Sequence, residues 1–291
     1  MLHAIYNAYL TVTASEDGAE LQSIRAADGT EILWQGDVRY WNGRAPNLFP
    51  YVARLWQGRC VMDGETHSMP IHGFAPYSRF ALAEKGESRM VFELCDNAET
   101  YAQYPRRFVL RVVYALEENR LNVTYEVVNR DERTMHFGLG GHPGFNVPLE
   151  EGKRFEDYQL RFSKPCSPVR VGFSEDCFLN GQDSAYPLEG GVSLPLRHDL
   201  FDDDAIVLRD MARRVTLCAP GAARSVTVSF PDMPYLGIWH WPRTDAPYVC
   251  IEPWVSLPSR QGQCAVLEEQ SDLVRLESGK TYTNTWTMEI R

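Results

Sequence analysis

Phe108-Val109-Leu110-Arg111-Val112-Val113-Tyr114-Ala115-Leu116 and Leu121-Asn122-Val123-Thr124-Tyr125-Glu126-Val127-Val128, joined by the short polar connector Glu117 to Arg120, decide the fold class of this 291-residue chain. In the second run Leu121, Val123, Tyr125 and Val127 face one way, and Asn122, Thr124 and Glu126 the other. A period of two is that of a half-buried antiparallel strand, so the two runs predict a hairpin.

Working outward, the same signals recur on both sides. Upstream, Asp63-Gly64 separates Arg59–Met62 from Glu65–Met69 as a second hairpin, and Ala4 to Thr13 and Glu31–Trp34 read as strands between the turn dipeptides Asp17-Gly18 and Asp28-Gly29. Downstream, Tyr158–Phe162, Ala205–Leu208, Ser225–Phe230, Leu236–Trp241, Tyr248–Trp254 and Tyr282–Ile290 are strand-like. Glu150 to Asp157 is charged and reads as a surface excursion, and residues 163 to 200, rich in Pro, Gly and Ser, predict a long irregular wrap. Many short strands with hardly any helix predict an all-β sandwich or barrel. No repeat or linker divides the chain, which is expected to be one domain over residues 1–291.

Composition narrows the functional classes. With 39 acidic against 29 basic residues the formal charge is −10, and no Lys/Arg run stands out, so nucleic acid and anionic membrane surfaces are not expected partners. Seven cysteines, odd in number and without a Cys-x-x-Cys pair, fit a reducing compartment. The first residues lack the basic and apolar regions of a leader, and no apolar run approaches 18 residues; a cytoplasmic protein is expected.

Five places carry residues with chemistry. His142 lies between Gly140-Gly141 and Pro143-Gly144, straight after a strand. A titratable ring on a stiff turn is either an acid–base group or a histidine that merely lies in a loop. His72, in Pro70-Ile71-His72-Gly73-Phe74, poses the same choice. Arg54 sits in an apolar segment, either snorkelling to the surface or held inward against something polar. Asp202-Asp203-Asp204 runs into a strand; it is a solvated turn or a cation holder, although the spacing of an EF-hand is absent. Glu252 ends the apolar run Tyr248-Val249-Cys250-Ile251 and needs partners, as a structural salt bridge or as a base.

Taken together, the chain resembles the aldose 1-epimerase (galactose mutarotase-like) family, in particular its LacX-type bacterial branch. The resemblance rests on Gly18–Ile24 through Leu33–Asp37 to Tyr40-Trp41, on Asn47-Leu48-Phe49-Pro50 with Arg54, on His72-Gly73-Phe74-Ala75, on Gly141-His142-Pro143-Gly144-Phe145-Asn146, and on Cys250-Ile251-Glu252-Pro253-Trp254. It implies a large antiparallel β-supersandwich whose concave face binds a sugar. It also implies an isomerase that interconverts the α and β anomers of a free aldose without a cofactor, as a monomer or homodimer. In that reading His142 is the general acid and Glu252 the general base, one on either side of the ring. Arg54, His72 and Asp204 hold the sugar hydroxyls, and Trp254 or Phe145 packs against an apolar sugar face. Asp202 and Asp203 compete with Asp204 for its place. A reference His is only partly protonated at neutral pH, so His142 requires an acidic neighbour or hydrogen bonds favouring its charged form.

Two departures from the branch's pattern bear on the substrate: Pro76 where Arg is common, and Val255-Ser256-Leu257-Pro258-Ser259 after the Glu-Pro-Trp motif. The competing readings are a hexose-6-phosphate 1-epimerase, with Arg44, Arg79 or Arg243 on the phosphate, and a non-catalytic sugar-binding protein of the same fold. A glycosidase with two carboxylates does not match an acid that is a histidine. A metal site of His72, His142, His240 and Glu252 has no local ligand spacing to support it, so no metal is expected.

Overall fold

In the computed structural model, which describes all 291 residues, the predicted hairpin forms part of the larger sheet. Phe108–Glu117 pairs antiparallel with Arg120–Asn129, with Leu116 opposite Leu121 and Val112 opposite Tyr125. Glu118, at φ 51°, turns the chain between them. Leu121, Val123, Tyr125 and Val127 are buried and their alternate neighbours are not, as the period of two requires. Nine strands make this sheet, in the order Ser193–Pro195, Gln159–Phe162, Arg214–Cys218, Ser225–Ser229, Thr281–Ile290, Arg120–Asn129, Phe108–Glu117, Arg89–Cys95 and Ala81–Lys85.

A second, eight-stranded sheet runs in the order Ser184–Ala185, Val169–Arg170, Ile206–Arg209, Tyr235–Trp239, Tyr248–Trp254, Gly140–Gly141 and Asn47–Leu48, with Gly144–Asn146 also paired to Tyr248–Trp254. Side chains of both sheets enter one core cluster of 67 buried residues, Val123, Trp286 and Met288 from the first and Ile238, Val249 and Ile251 from the second. Two contacts fix how closely the sheets approach. A Cβ on Gly141 would come within 2.5 Å of the Trp286 ring, so only glycine fits there. Asn47, 3% exposed, donates to the carbonyls of Gly18 and Ala19 and to Tyr114 Oη, and accepts from Tyr125 Oη at 2.9 Å. These bonds satisfy its buried amide and tie two strands of the large sheet to the edge of the small one.

Some local expectations need correction. Ala4 to Thr13 is not one strand but parts of two, Leu2–Tyr6 and Leu10–Ser15, because Asn7 Oδ1 accepts the N–H groups of Tyr9 and Leu10 and reverses the chain. Glu31–Trp34 contributes only isolated bridges, from Glu31 to Arg25 and from Leu33 to Phe145. Ala98–Gln103 is a short α-helix, capped by Asn97, whose side chain accepts from Glu99 and Thr100. Residues 163 to 200 are largely irregular, broken by the short strands Val169–Arg170, Ser184–Ala185 and Ser193–Pro195. No helix is long and apolar enough to cross a membrane.

Candidate functional site

The outer face of Tyr248–Trp254 organises the site. Val249 and Ile251 point into the main core, so Tyr248, Cys250, Glu252 and Trp254 take the opposite face. Alongside runs the segment that carries His142. Gly140 pairs with Trp254 and Gly144 with Cys250, a register that sets position 142 opposite position 252. The amides of Val255 and Ile251 bond to the carbonyls of Leu139 and Pro143, holding this register on both sides of the turn. His142 and Glu252 are therefore cross-strand neighbours on one face, the spacing at which side chains meet. Their atoms Nε2 and Oε2 lie 3.3 Å apart.

Glycine makes that approach possible. A Cβ on Gly140 would strike the Trp254 indole at 2.7 Å, so the small residues beside His142 leave room for the aromatic rings around it. Trp41 stacks on the His142 ring at 4.8 Å, and Trp239 meets it edge-on at 5.6 Å. The pair lies at the floor of a cleft of about 560 Å³ that also receives Arg54, His72, Asp204 and Trp254.

His142 and Glu252 are 8% and 1% exposed, and burial dominates their electrostatics. It pushes the Glu252 carboxyl well above its ordinary value, with the charge of Asp204 adding to the rise. It drives the His142 imidazole well below, with His72 adding to the fall. His72 itself is held down to about 4 by burial and by the Arg54 charge. Its Nδ1 accepts the Ala53 N–H at 3.2 Å, so the proton of the neutral ring is on Nε2. His142 Nδ1, Glu252 Oε2 and Trp254 Nε1 are buried without hydrogen-bond partners. Such atoms each cost about 1–3 kcal/mol when nothing engages them.

The other expected residues resolve individually. Arg54 is exposed, lines the cleft and forms no ion pair within the chain. Asp203 and Asp204 line the cleft and Asp202 does not; Asp204 is the partly buried one, with φ 75°. Trp254 is buried at the cleft wall. Phe145 is not in the cleft, because it alternates with Gly144 and points into the main core. His240 is also elsewhere, its Nε2 3.1 Å from His198 Nδ1 and its Nδ1 2.8 Å from the Trp241 carbonyl. The potential metal donors that converge are instead His142, Cys250 and Glu252, within 4.8 Å of one another. Burial, with the Glu252 charge adding to it, pushes the Cys250 thiol well above its ordinary value.

Of the arginines proposed for a phosphate, Arg79 pairs with Glu16 at 2.7 Å, Arg44 bonds to Gln22, and Arg243 is exposed away from the cleft. Arg54 is the one Lys or Arg among the lining residues, beside the histidines His72 and His142 and against Glu20, Asp203, Asp204 and Glu252. Pro76 lines the cleft, whereas residues 255–259 lie behind it and are buried, with Ser259 Oγ accepting the Trp56 amide. The residues that sequence reasoning missed are Cys177, Phe173, Tyr77, Trp239 and Trp241 in the walls.

Comparison with known proteins shows the family. The family model described as aldose 1-epimerase matches residues 1–288. The chain belongs to the aldose 1-epimerase family. Among curated relatives it is 37% identical over 279 residues to the plasmid-encoded protein LacX of Lactococcus lactis subsp. lactis, covering 93% of each chain. Among solved structures, a galactose mutarotase related enzyme from Lactobacillus acidophilus superposes with a TM-score of 0.95 at 34% identity, covering 100% of this chain and 97% of that one. A galactose mutarotase-like protein from Lactobacillus casei gives a TM-score of 0.93 at 33% identity and covers both chains fully. The all-β architecture is thus that of the galactose mutarotase-like proteins, and the aldose 1-epimerase family, one of isomerases, is the setting in which the cleft is to be understood.

Proposed function

We propose that this protein is a mutarotase, interconverting the α and β anomers of a free, unphosphorylated aldose. The observation that carries the reading is the His142–Glu252 pair, which lies side by side, 3.3 Å apart at the cleft floor, and not one on either side of the ring as expected from the sequence. Mutarotation works on two oxygens of a single carbon, the ring oxygen and the anomeric hydroxyl, and two neighbouring groups can serve both at once. In ring opening the Glu252 carboxylate takes the anomeric hydroxyl proton while the His142 imidazolium protonates the ring oxygen. The C1–ring oxygen bond breaks and the carbonyl forms. Rotation about C1–C2 and the reverse transfers close the ring on the other face.

The direction of both shifts favours the open-sugar half of this cycle and opposes the ionised pair that begins it. The charged His142 expected from the sequence is therefore not the form that burial favours. When the sugar is open, Glu252 holds a proton and His142 is neutral, and that is the state burial favours. A raised carboxyl and a lowered imidazole have converging proton affinities, which suits a reaction in which acid and base exchange roles halfway. The unpartnered polar atoms of His142, Glu252 and Trp254 are then engaged by the sugar. Arg54, Asp204 and the Nε2–H of neutral His72 are the groups that hold its hydroxyls. An acid-rich cleft with a single arginine and no lysine disfavours a phosphorylated substrate.

The test is anomer exchange by NMR for galactose, glucose and their 6-phosphates, with wild type, Glu252→Gln and His142→Asn. Each variant is expected to lose about 10²- to 10⁴-fold in rate. Unchanged rates in both variants overturn the acid–base assignment. Sugar binding by wild type without exchange assigns the protein to the non-catalytic class, and preference for the 6-phosphates assigns it to the hexose-6-phosphate epimerases.

A further inference from the structure

Trp241 is the single exposed tryptophan among the seven in the chain, at 44%, and it lines the same cleft as the His142–Glu252 pair. Tyr77, 64% exposed, and Ile71 are also at this cleft. Three of the nine large hydrophobic side chains left exposed by the fold therefore belong to one concave surface. Isolated exposed hydrophobics are ordinary, but a group of them beside a pocket marks a place where something docks.

The backbone beneath Trp241 is held unusually firmly for an exposed residue. Its N–H donates to Tyr248 Oη at 3.1 Å, and its carbonyl accepts from Thr244 Oγ1 at 2.7 Å and from His240 Nδ1 at 2.8 Å. Tyr248 belongs to the strand that carries Glu252, so the backbone that bears the exposed indole is fixed relative to the cleft floor. The Trp239 ring, 6.0 Å away, backs it. An aromatic on an anchored backbone and backed by a second ring has less freedom to lose when a ligand covers it, which favours a pre-organised subsite.

The buried polar groups lie on the floor, whereas Trp241 and Tyr77 remain open to solvent. One pyranose ring on His142 and Glu252 is served by the floor alone. The cleft, at about 560 Å³, falls in the range of drug-sized ligands, larger than a single hexose. Sugar rings present a face of C–H groups that lies well against an indole, while their hydroxyls point to water.

We propose, on the basis of the mutarotase reading, that the cleft holds a second sugar ring against Trp241, and that the preferred substrate is the free reducing end of a disaccharide. Tyr77 closes the same outer subsite.

The experiment compares anomer exchange of glucose and galactose with that of the reducing disaccharides lactose, maltose and cellobiose, in wild type, Trp241→Ala, Trp241→Tyr and Tyr77→Ala. At least one disaccharide is expected to have a higher kcat/KM than either monosaccharide. Trp241→Ala is expected to reduce the disaccharide-to-monosaccharide ratio about tenfold, mainly through KM, and Trp241→Tyr to restore most of it. Tyr77→Ala is expected to lower the same ratio. Exchange of monosaccharides with no gain for any disaccharide, or a ratio unmoved by Trp241→Ala, overturns the second-ring proposal and leaves the mutarotase reading standing. Exchange of no sugar by wild type overturns both.

Discussion

The Cys177 thiol donates to Asp204 Oδ2 across 2.8 Å, joining the irregular wrap of residues 163 to 200 to the carboxylate that faces Glu252. Both residues have left-handed backbones, at φ 64° and φ 75°, a conformation that non-glycine residues adopt at a cost. Two costly local conformations thus meet in a single contact at the cleft wall. The thiol occupies one lone pair of Asp204 and orients the carboxylate toward the cleft.

Removing that contact is expected to be felt in substrate affinity. Cys177→Ala should raise KM about fivefold, a loss of about 1 kcal/mol, with a smaller change in kcat, and Cys177→Ser should restore most of it. Because burial and the Asp204 charge push the thiol up to about 12, Cys177 should react slowly with iodoacetamide at pH 8 and faster in Asp204→Asn. Steady-state kinetics and mass-spectrometric labelling check the two halves.

Gly141 offers a test of how the fold sets the site. Gly141→Ala drives a methyl into the Trp286 ring, which cannot yield without moving the large sheet. A loss of about 1–3 kcal/mol in stability is expected, together with a fall in kcat as His142 shifts from its register with Glu252. Chemical denaturation and anomer exchange measure the two effects.

Asn47 holds the sheets together, and its loss should act on stability first. Asn47→Ala leaves the Tyr114 and Tyr125 hydroxyls and two backbone carbonyls with fewer partners. The expected cost is about 1–3 kcal/mol for each group left without any partner, read as a lower Tm. Tyr125 still donates to Gly140 O and Tyr114 to Ala19 O, which limits the loss.

Acid should destabilise the protein through its histidines. His72 and His240 are each held down to about 4 in the fold against about 6.5 when unfolded, chiefly by burial. The unfolded chain therefore binds more protons between those values. Stability is fully present above about pH 6.5 and is lost as pH falls through about 4. His72→Asn, which keeps an acceptor for the Ala53 amide, should flatten part of that loss, as denaturant titrations at pH 4.5 and 7 would reveal.

The sequence made the strands legible where burial is one-sided. Leu121 to Val128 could be assigned from alternation alone, and Asp63-Gly64 from turn chemistry. Asn7 hid a chain reversal because its signal is one side chain that accepts two amides, within an otherwise strand-like run. The helix at Ala98–Gln103 was announced only by Asn97 and Thr100, a capping pair without the apolar stripe that normally accompanies it. At the site, His142 and Glu252 could be singled out because a histidine between glycines and a glutamate in an apolar run are locally odd. Cys177 and Trp241 carry no such local oddity. Their meaning comes from long-range pairing, which places the 163–200 wrap and the end of the Tyr235–Trp239 strand around one cleft.

Glu252 and His142 face each other because Gly140 pairs with Trp254 and Gly144 with Cys250. The distance between them is accordingly a property of the β-ladder, held by the same amide-to-carbonyl repeat that spaces any two strands. The segments that would grip the sugar, carrying His72, Cys177, Asp204 and Trp241, are loops and strand ends outside that ladder. They can lengthen or shorten without changing the spacing of Glu252 and His142, while the side chains of Asp204 and His72 still bear on the proton affinities of that pair. The spacing of the pair and the make-up of the cleft walls are thus separately heritable in this scaffold: one is copied with the sheet, and the other is free to drift at its rim.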